Sequence, residues 1–494
     1  MLISGLALGA VLGFVMQRGR FCVTGFLRDI FTQRSWRGFV ALLIVISVHA
    51  IGLAALTSAG VITPEYNELA PLAVIVGGVI FGLGIVLAGG CASGTWYRSG
   101  EGLIGSWIAL VFYALSAAAM KTGFLNGLQD SLKERTVGLT SIHASLGISI
   151  WPLVIALSAV TAYFAVRFLR EEFSGPRPAT LAPRKSGLAH ILTEKAWHVY
   201  ATAAIVGVLG VIAWPLSAAT GRNDGLGITT PSSNLANYVV TGDTERFDWG
   251  VLLVLGILVG SFIAAKASGE FRLRVPDATQ GARSVVGGIF MGVGAAWAGG
   301  CTVGNGMVQT SLFSYQGWLA LASIAAGVAI AAKLWLKPSA PSLNDVPSTP
   351  STTNDTAVSA TAPVTSAATS PVSLPGSEGA GVAGTEASPL AGAFTVAPVA
   401  LLDRSVVKQE DGKLKPLGDG RYELDTVGAV CPFPLIEAKD AINKIEVGEE
   451  LVIPFDCTQA TDAIPRWAAK DGHKVTNFEQ TGEAGWTISV RRGR

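Results

Sequence analysis

Charge is scarce in this 494-residue chain: 14% of its residues are Asp, Glu, Lys or Arg, against about 25% in an average soluble domain. With half the residues hydrophobic and a mean hydropathy of +0.47, that shortage excludes a purely soluble protein. A formal net charge of +1, spread over connections without a basic face, gives no reason to expect a nucleic-acid partner. Cysteine is scarce too. Five residues, an odd number with no CxxC and no zinc-type spacing, argue against a disulfide framework or a structural zinc site, and no metal ligand set or cofactor is expected. The GxxxxGK[ST] phosphate loop is also missing, which argues against ATP-driven transport by this chain.

What the chain has is apolar runs. Crossing a hydrocarbon core takes about 17 to 25 helical residues, and such runs fall near 2–18, 38–58, 71–90, 103–120, 147–167, 199–217, 249–267, 285–299 and 316–336. The first has no cationic region before it and no small-residue cleavage site before Arg18, so it reads as a retained span rather than a signal peptide. Basic connections follow span one (Arg18, Arg20, Arg28, Arg34, Arg37), span five (Arg170, Arg177, Arg184, Lys185, Lys195) and span seven (Arg272, Arg274, Arg283). Acidic ones follow spans two and six (Glu65, Glu68; Asp224, Asp243, Glu245, Asp248). Because basic loops stay cytoplasmic, the N-terminus is expected outside and the C-terminus inside.

The segment 338–402 is rich in Pro, Ser, Thr and Ala and reads as a disordered linker, with a reach of about 40–50 Å root-mean-square. Residues 403–494 recover a soluble pattern. Strands are expected over 421–426, 449–456, 474–479 and 485–491 and helices over 432–445 and 458–470, giving a small two-layer α/β domain of order β-α-β-α-β-β.

The membrane part, 1–337, contains a duplication. The segment from Gly77 to Gly94 aligns without a gap on Gly287 to Gly304, sharing seven glycines and Cys91/Cys301; Gly19, Arg20 and Gly25 likewise match Gly221, Arg222 and Gly227. The copies, about 1–120 and 199–336, are five crossings apart, and an odd number of crossings turns the second copy over. An inverted repeat of this kind puts the substrate path near the midplane, between the halves. The stretches 21–32, 92–102, 226–239 and 302–315 are expected to be re-entrant half-helices, whose N-termini carry partial positive charge suited to an anion. Gly90, Gly94, Gly300 and Gly304 would allow its close approach, although small residues also serve helix packing.

Cys22, Cys91 and Cys301 are the only thiols of the membrane part, and each follows a glycine-rich helix end. A thiol is a weak donor with a soft sulphur, suited to a soft sulphur or selenium anion. Arg20 and Arg222 would place permanent positive charge at the two mouths, or simply snorkel there. Asp224 stands where the first half has Cys22. In the tail, Cys431 of Ala429–Pro434 precedes a helix with proline in its first turn, and a helix N-terminus favours the thiolate that a persulphide carrier needs. Cys457 opens the second helix, as a structural residue or as a resolving or second acceptor thiol.

These motifs resemble two known families. The sequences GRFCVTG, AGGCASG and AGGCTVG, with the second-half Gly221-Arg222, resemble the YeeE/YedE membrane proteins over about 1–337. The resemblance implies uptake of thiosulphate or a related sulphur anion across a bacterial cytoplasmic membrane, along a path lined by Cys22, Cys91 and Cys301. The CPxP motif resembles the TusA-like (SirA-like) sulphur carriers over about 420–494, here fused in the manner of a YeeD-like partner, with Cys431 as the sulphur acceptor and cytoplasmic sulphur-relay proteins as further partners. Two rivals stay open: a membrane-anchored sulphurtransferase whose spans only localise it, and transport of a selenium or other sulphur species.

Overall fold

The computed structural model describes residues 2–336 and 414–493; the expected linker over 338–402 lies outside them. The first half of the membrane part runs through α1 (Ile3–Arg18), α2 (Val23–Thr32), α3 (Arg37–Ser58), α4 (Pro71–Leu87), α5 (Ala92–Gly100) and α6 (Ile104–Lys121). Short helices α7 (Asn126–Lys133) and α8 (Ile142–Leu146), the long α9 (Trp151–Ser174) and α10 (Gly187–Thr193) lead to the second half. There α11 (Val199–Ala218), α12 (Thr229–Thr241), α13 (Trp249–Ser268), α14 (Ala278–Ala298), a π-helical turn (Gly304–Gln309) and α15 (Tyr315–Trp335) repeat the order of α1–α6.

Eight spans among the described residues are long and apolar enough to cross a membrane. The ninth run, read near 285–299, lies in α14, which is long enough but falls short of the others in apolarity; Gln280, Arg283 and Ser284 occupy its first turns. Large side chains on the outer helix faces, among them Val111, Ile155, Phe262 and Ile330, are exposed, as lipid-facing positions require.

The helix pairings mirror the repeat. α1 packs on α13 as α11 packs on α3, α6 on α14 as α15 on α4, and α2 on α15 as α12 on α6, while α4 crosses α14 between the halves. Repeat-related glycines make that crossing possible. A Cβ at Gly77 would stand 2.5 Å from the Ala298 amide nitrogen, and one at Gly287 2.5 Å from that of Ala88. These two glycines therefore serve backbone approach between helices. Gly89 and Gly299, also a repeat pair, have φ of +73° and +77°, a conformation that turns the chain out of the helix and excludes a side chain at low cost.

The tail forms a five-stranded sheet. Its elements are β1 (Leu414–Gly418), β2 (Arg421–Leu424), α16 (Phe433–Ile442), β3 (Glu450–Phe455), α17 (Ala460–Lys470), β4 (Lys474–Gly482) and β5 (Gly485–Arg491), with strand order β1-β2-β3-β5-β4. Only β2 and β3 pair in parallel, joined by α16 as crossover. The first strand was absent from the sequence reading. Its Pro416 argues against a central strand but suits the edge that β1 occupies, and Gly418-Asp419-Gly420, all at positive φ, make the turn into β2. Leu435, Ile442, Ile453, Phe455, Ile464 and Trp486 fill the space between helices and sheet.

Candidate functional site

The two broken helices of the first half place their cysteines alike. Cys22 and Cys91 are the N-cap residues of α2 and α5, in extended backbone, and their carbonyls accept the first helical bonds from Phe26 (3.0 Å) and Thr95 (2.8 Å). Both side chains are buried free thiols. Gly94 brings them together: a Cβ there would lie 3.2 Å from the Cys91 sulphur and 3.6 Å from that of Cys22. The Ser93 hydroxyl stands 3.5 Å from the Cys91 sulphur. Gly90 faces the Arg98 guanidinium, and Arg98 donates to the Gly89 carbonyl while lying over the Tyr97 ring.

The second half departs from this pattern. The half-helix expected over 302–315 is instead the π turn, and Cys301, also buried and free, precedes it. Asn305 pins the turn by donating to the carbonyls of Ala298 (2.8 Å) and Gly300 (3.0 Å), and accepts from Gln316 (3.0 Å). Wider π turns recur at functional sites. A Cβ at Gly304 would meet nothing within 4 Å. Cys301 is not part of the Cys22–Cys91–Gly94 cluster; between the halves, the buried Tyr113 of α6 donates its hydroxyl to Thr229 of α12 at 2.8 Å.

Each matched arginine pairs with a carboxylate. Arg20, at positive φ, pairs with Glu270 (3.2 Å) and donates to the tail's Thr461; Arg222 pairs with Asp224 (2.9 Å) and lies over Trp249. Glu270 also holds the buried Arg18 (3.3 Å) and accepts from Gln17 (2.6 Å). Burial pushes the Glu270 carboxyl up, yet Arg20, Arg18 and Gln17 outweigh it and hold it below the ordinary glutamate value. The sequence reading missed Glu270, although it is the one carboxylate in the basic stretch 266–274.

Three cavities meet at Cys431. One of about 910 Å³ is lined by Arg20, Cys22 and Arg28 on the membrane part and by Cys431, Cys457 and Thr461 on the tail. A second, of about 50 Å³, joins Arg98, Arg274 and Ser284 to Cys431 and Asp456, and a third places Thr24 beside Cys431. The buried hydroxyls of Thr24, Ser284 and Thr302 have no hydrogen-bond partner among the described residues, so each is available to a polar guest. The tail is held against the membrane part by Arg466 to Glu172 (2.8 Å) and by the Ala484 amide donating to the Gly269 carbonyl (2.9 Å). Cys431 stands two residues before α16, as its motif implied, and its sulphur is joined to that of Cys457.

Two families match this chain: Sulphur transport over residues 18–330, and Sulfurtransferase TusA over 422–492. A thiosulfate transporter, TsuA, from Escherichia coli K12 is 51% identical over 328 residues, which cover 66% of this chain and 93% of that protein. The thiosulfate transporter TsuA from Spirochaeta thermophila is 32% identical over 337 residues, 65% of this chain and 94% of its own. The tail is 59% identical over 70 residues to Escherichia coli TsuB, covering 14% of this chain and 93% of TsuB.

Proposed function

Since this chain belongs to the sulphur transport family, we propose that it carries thiosulphate across the bacterial cytoplasmic membrane and delivers it to its own TusA-like tail. The anion passes Cys301, then Cys91 and Cys22, and enters the cavity that Cys22 shares with Cys431. That shared cavity is the observation that carries the reading, because a merely anchoring set of spans has no need to open a buried thiol toward the carrier cysteine. Soft sulphur donors and the open hydroxyls of Thr302 and Thr24 replace the water that the anion leaves behind. Arg20, Arg222 and the glycines at 90, 94, 300 and 304 shape the mouths and breaks of this path. The N-terminus lies outside and the tail in the cytoplasm, in keeping with the alternating basic and acidic connections.

Cys431 accepts the outer sulphur as a persulphide, keeping free thiosulphate low at the inner end, and a linker over 338–402 keeps the tail at about millimolar effective concentration there. Uptake of radiolabelled thiosulphate into vesicles carrying the full chain tests the reading, with unlabelled sulphate, sulphite and selenium anions as competitors. Uptake that selenium anions suppress better than thiosulphate moves the substrate to selenium; an absence of uptake leaves only the anchored sulphurtransferase. For orientation, a cysteine introduced at Asn67 should react with an impermeant reagent from outside and one at Ser186 only from inside.

A further inference from the structure

Resting on that reading, we propose that Cys457 is the resolving thiol of Cys431, so that the tail reduces the sulphur it takes from thiosulphate and releases it as sulphide. The CPxP motif accounts for Cys431 alone. The fold brings a second sulphur to it from 26 residues away, with the Cα atoms 6.1 Å apart and the two sulphurs joined. The loops that carry them are fastened to one another: the Gly428 amide donates to Asp456 (3.0 Å), and both the amide and the hydroxyl of Thr426 donate to the Pro454 carbonyl (3.0 and 2.9 Å). Cys431 stands just before α16 and Cys457 just before α17, so both sulphurs lie near helix N-termini, where thiolates are favoured. Cys457 is buried, whereas Cys431 is partly exposed toward the large cavity they both line.

This arrangement separates two attacks. The Cys431 thiolate attacks the outer sulphur of thiosulphate from the cavity side; the new S–S bond makes a persulphide, the bond to the sulphonate sulphur breaks, and sulphite leaves with the electron pair. The outer sulphur then projects into the cavity while the Cys431 Sγ stays beside Cys457. The Cys457 thiolate attacks that Sγ, the Cys431–Cys457 bond forms, the persulphide bond breaks, and the outer sulphur leaves as hydrosulphide with the electron pair and the proton that Cys457 has given up. The two cysteines are oxidised by two electrons and the transferred sulphur is reduced by two. The joined pair is the end of one turnover, and a dithiol reductant must reopen it for the next.

A single-turnover assay on the full-length protein, reduced, freed of reductant and given one equivalent of thiosulphate, tests this. Sulphite, sulphide and the mass of the peptides carrying Cys431 and Cys457 are measured together. The wild-type protein should release sulphite and sulphide in equal amounts and finish with Cys431 joined to Cys457. Cys457→Ser should still release sulphite, which reports a folded and reactive tail, but should keep one extra sulphur on Cys431 and yield sulphide only when an external thiol is added. Cys457→Ala should match it. Sulphide release by either variant at the wild-type yield without added thiol overturns the resolving role, as does a wild-type protein that retains the persulphide beside a free Cys457; in both cases Cys431 remains the acceptor. Absence of sulphite from the wild-type protein sinks the carrier reading and this inference with it.

Discussion

The two halves of the membrane part share a backbone plan and differ in chemistry at the same places. In the first half the broken helices begin at Cys22 and Cys91, two buried thiols around Gly94, and the adjoining Arg18, buried, and Arg20, half-buried, share Glu270 of the second half. In the second half Asp224 replaces Cys22, its pair with Arg222 is half exposed, and Cys301 leads into a π turn instead of an α-helix. Duplication therefore preserved the crossing of α4 on α14 and the left-handed glycines at 89 and 299, which any copy needs to fold. It left free the side chains at the breaks themselves, where Cys22 stands against Asp224 and the α-helix after Cys91 against the π turn after Cys301. Cys22 and Arg20 of the first half line the large cavity with Cys431, whereas their second-half counterparts Asp224 and Arg222, and Cys301, line none of the three cavities at Cys431.

The sharpest test of that asymmetry removes a thiol. Cys91→Ala is expected to abolish uptake into vesicles while the tail still reacts with thiosulphate, and Cys431→Ala to do the reverse. Serine at 91 separates two properties of the thiol, since it keeps a donor and loses the soft sulphur. Uptake by Cys91→Ser at the wild-type rate would mean that only the donor matters; uptake by Cys91→Ala at that rate would make the thiol a packing residue and end the comparison in its present form.

Next in size is a pair of carboxylates. Glu270→Gln leaves Arg18 and Arg20 without their shared counter-charge in a buried site, for which a loss of about 3 kcal/mol is expected. Asp224→Asn removes one partner of a pair that is half solvated, for which less than about 1 kcal/mol is expected. Thermal melting of the detergent-solubilised protein measures both. Because the folded state holds Glu270 below its ordinary value, its contribution is fully present above the unfolded glutamate pKa of about 4.3 and disappears as pH falls through the lower folded value. The gap between the two variants should thus stay constant from neutral pH down to mildly acidic conditions and narrow only in strong acid. Equal losses from the two substitutions would show that the two mouths are equally desolvated.

Much of this was legible in the sequence because it is local. Glycine-rich breaks, a cysteine at three of the four and a proline-flanked Cys431 are short-range patterns, and they located α2, α5, α12 and α16 to within a few residues. The π turn was not legible. It depends on Asn305 bonding back to Ala298 and Gly300 and forward to Gln316, which no periodicity in 302–315 announces. Glu270 was missed for a related reason: Arg18 and Arg20 are 250 or more residues away in sequence, and only the packing of α1 on α13 brings them to it. Cys457 was visible as an extra thiol, but its pairing with Cys431 needed the β2–α16 loop fastened to the end of β3.

The smallest expected effect comes from the closest matched pair, Gly94 and Gly304, which align in the repeat yet stand in different surroundings. Alanine at 94 places a methyl carbon 3.2 Å from the Cys91 sulphur and 3.6 Å from that of Cys22, the first of these tighter than ordinary contact. The sulphurs or the start of α5 must shift by a few tenths of an ångström, and a misplacement of that order at a narrow point of the path should lower uptake about tenfold while costing on the order of 1 kcal/mol of stability. Alanine at 304 meets no atom within 4 Å, so uptake should stay within about twofold of wild type if Cys301 passes the anion by its sulphur and not through the close approach of the π turn's backbone. The comparison also separates two uses of glycine. If Gly304→Ala proves as damaging as Gly94→Ala, the open space beside Gly304 is where the anion itself passes, and the second half carries its substrate on backbone where the first half carries it on thiols.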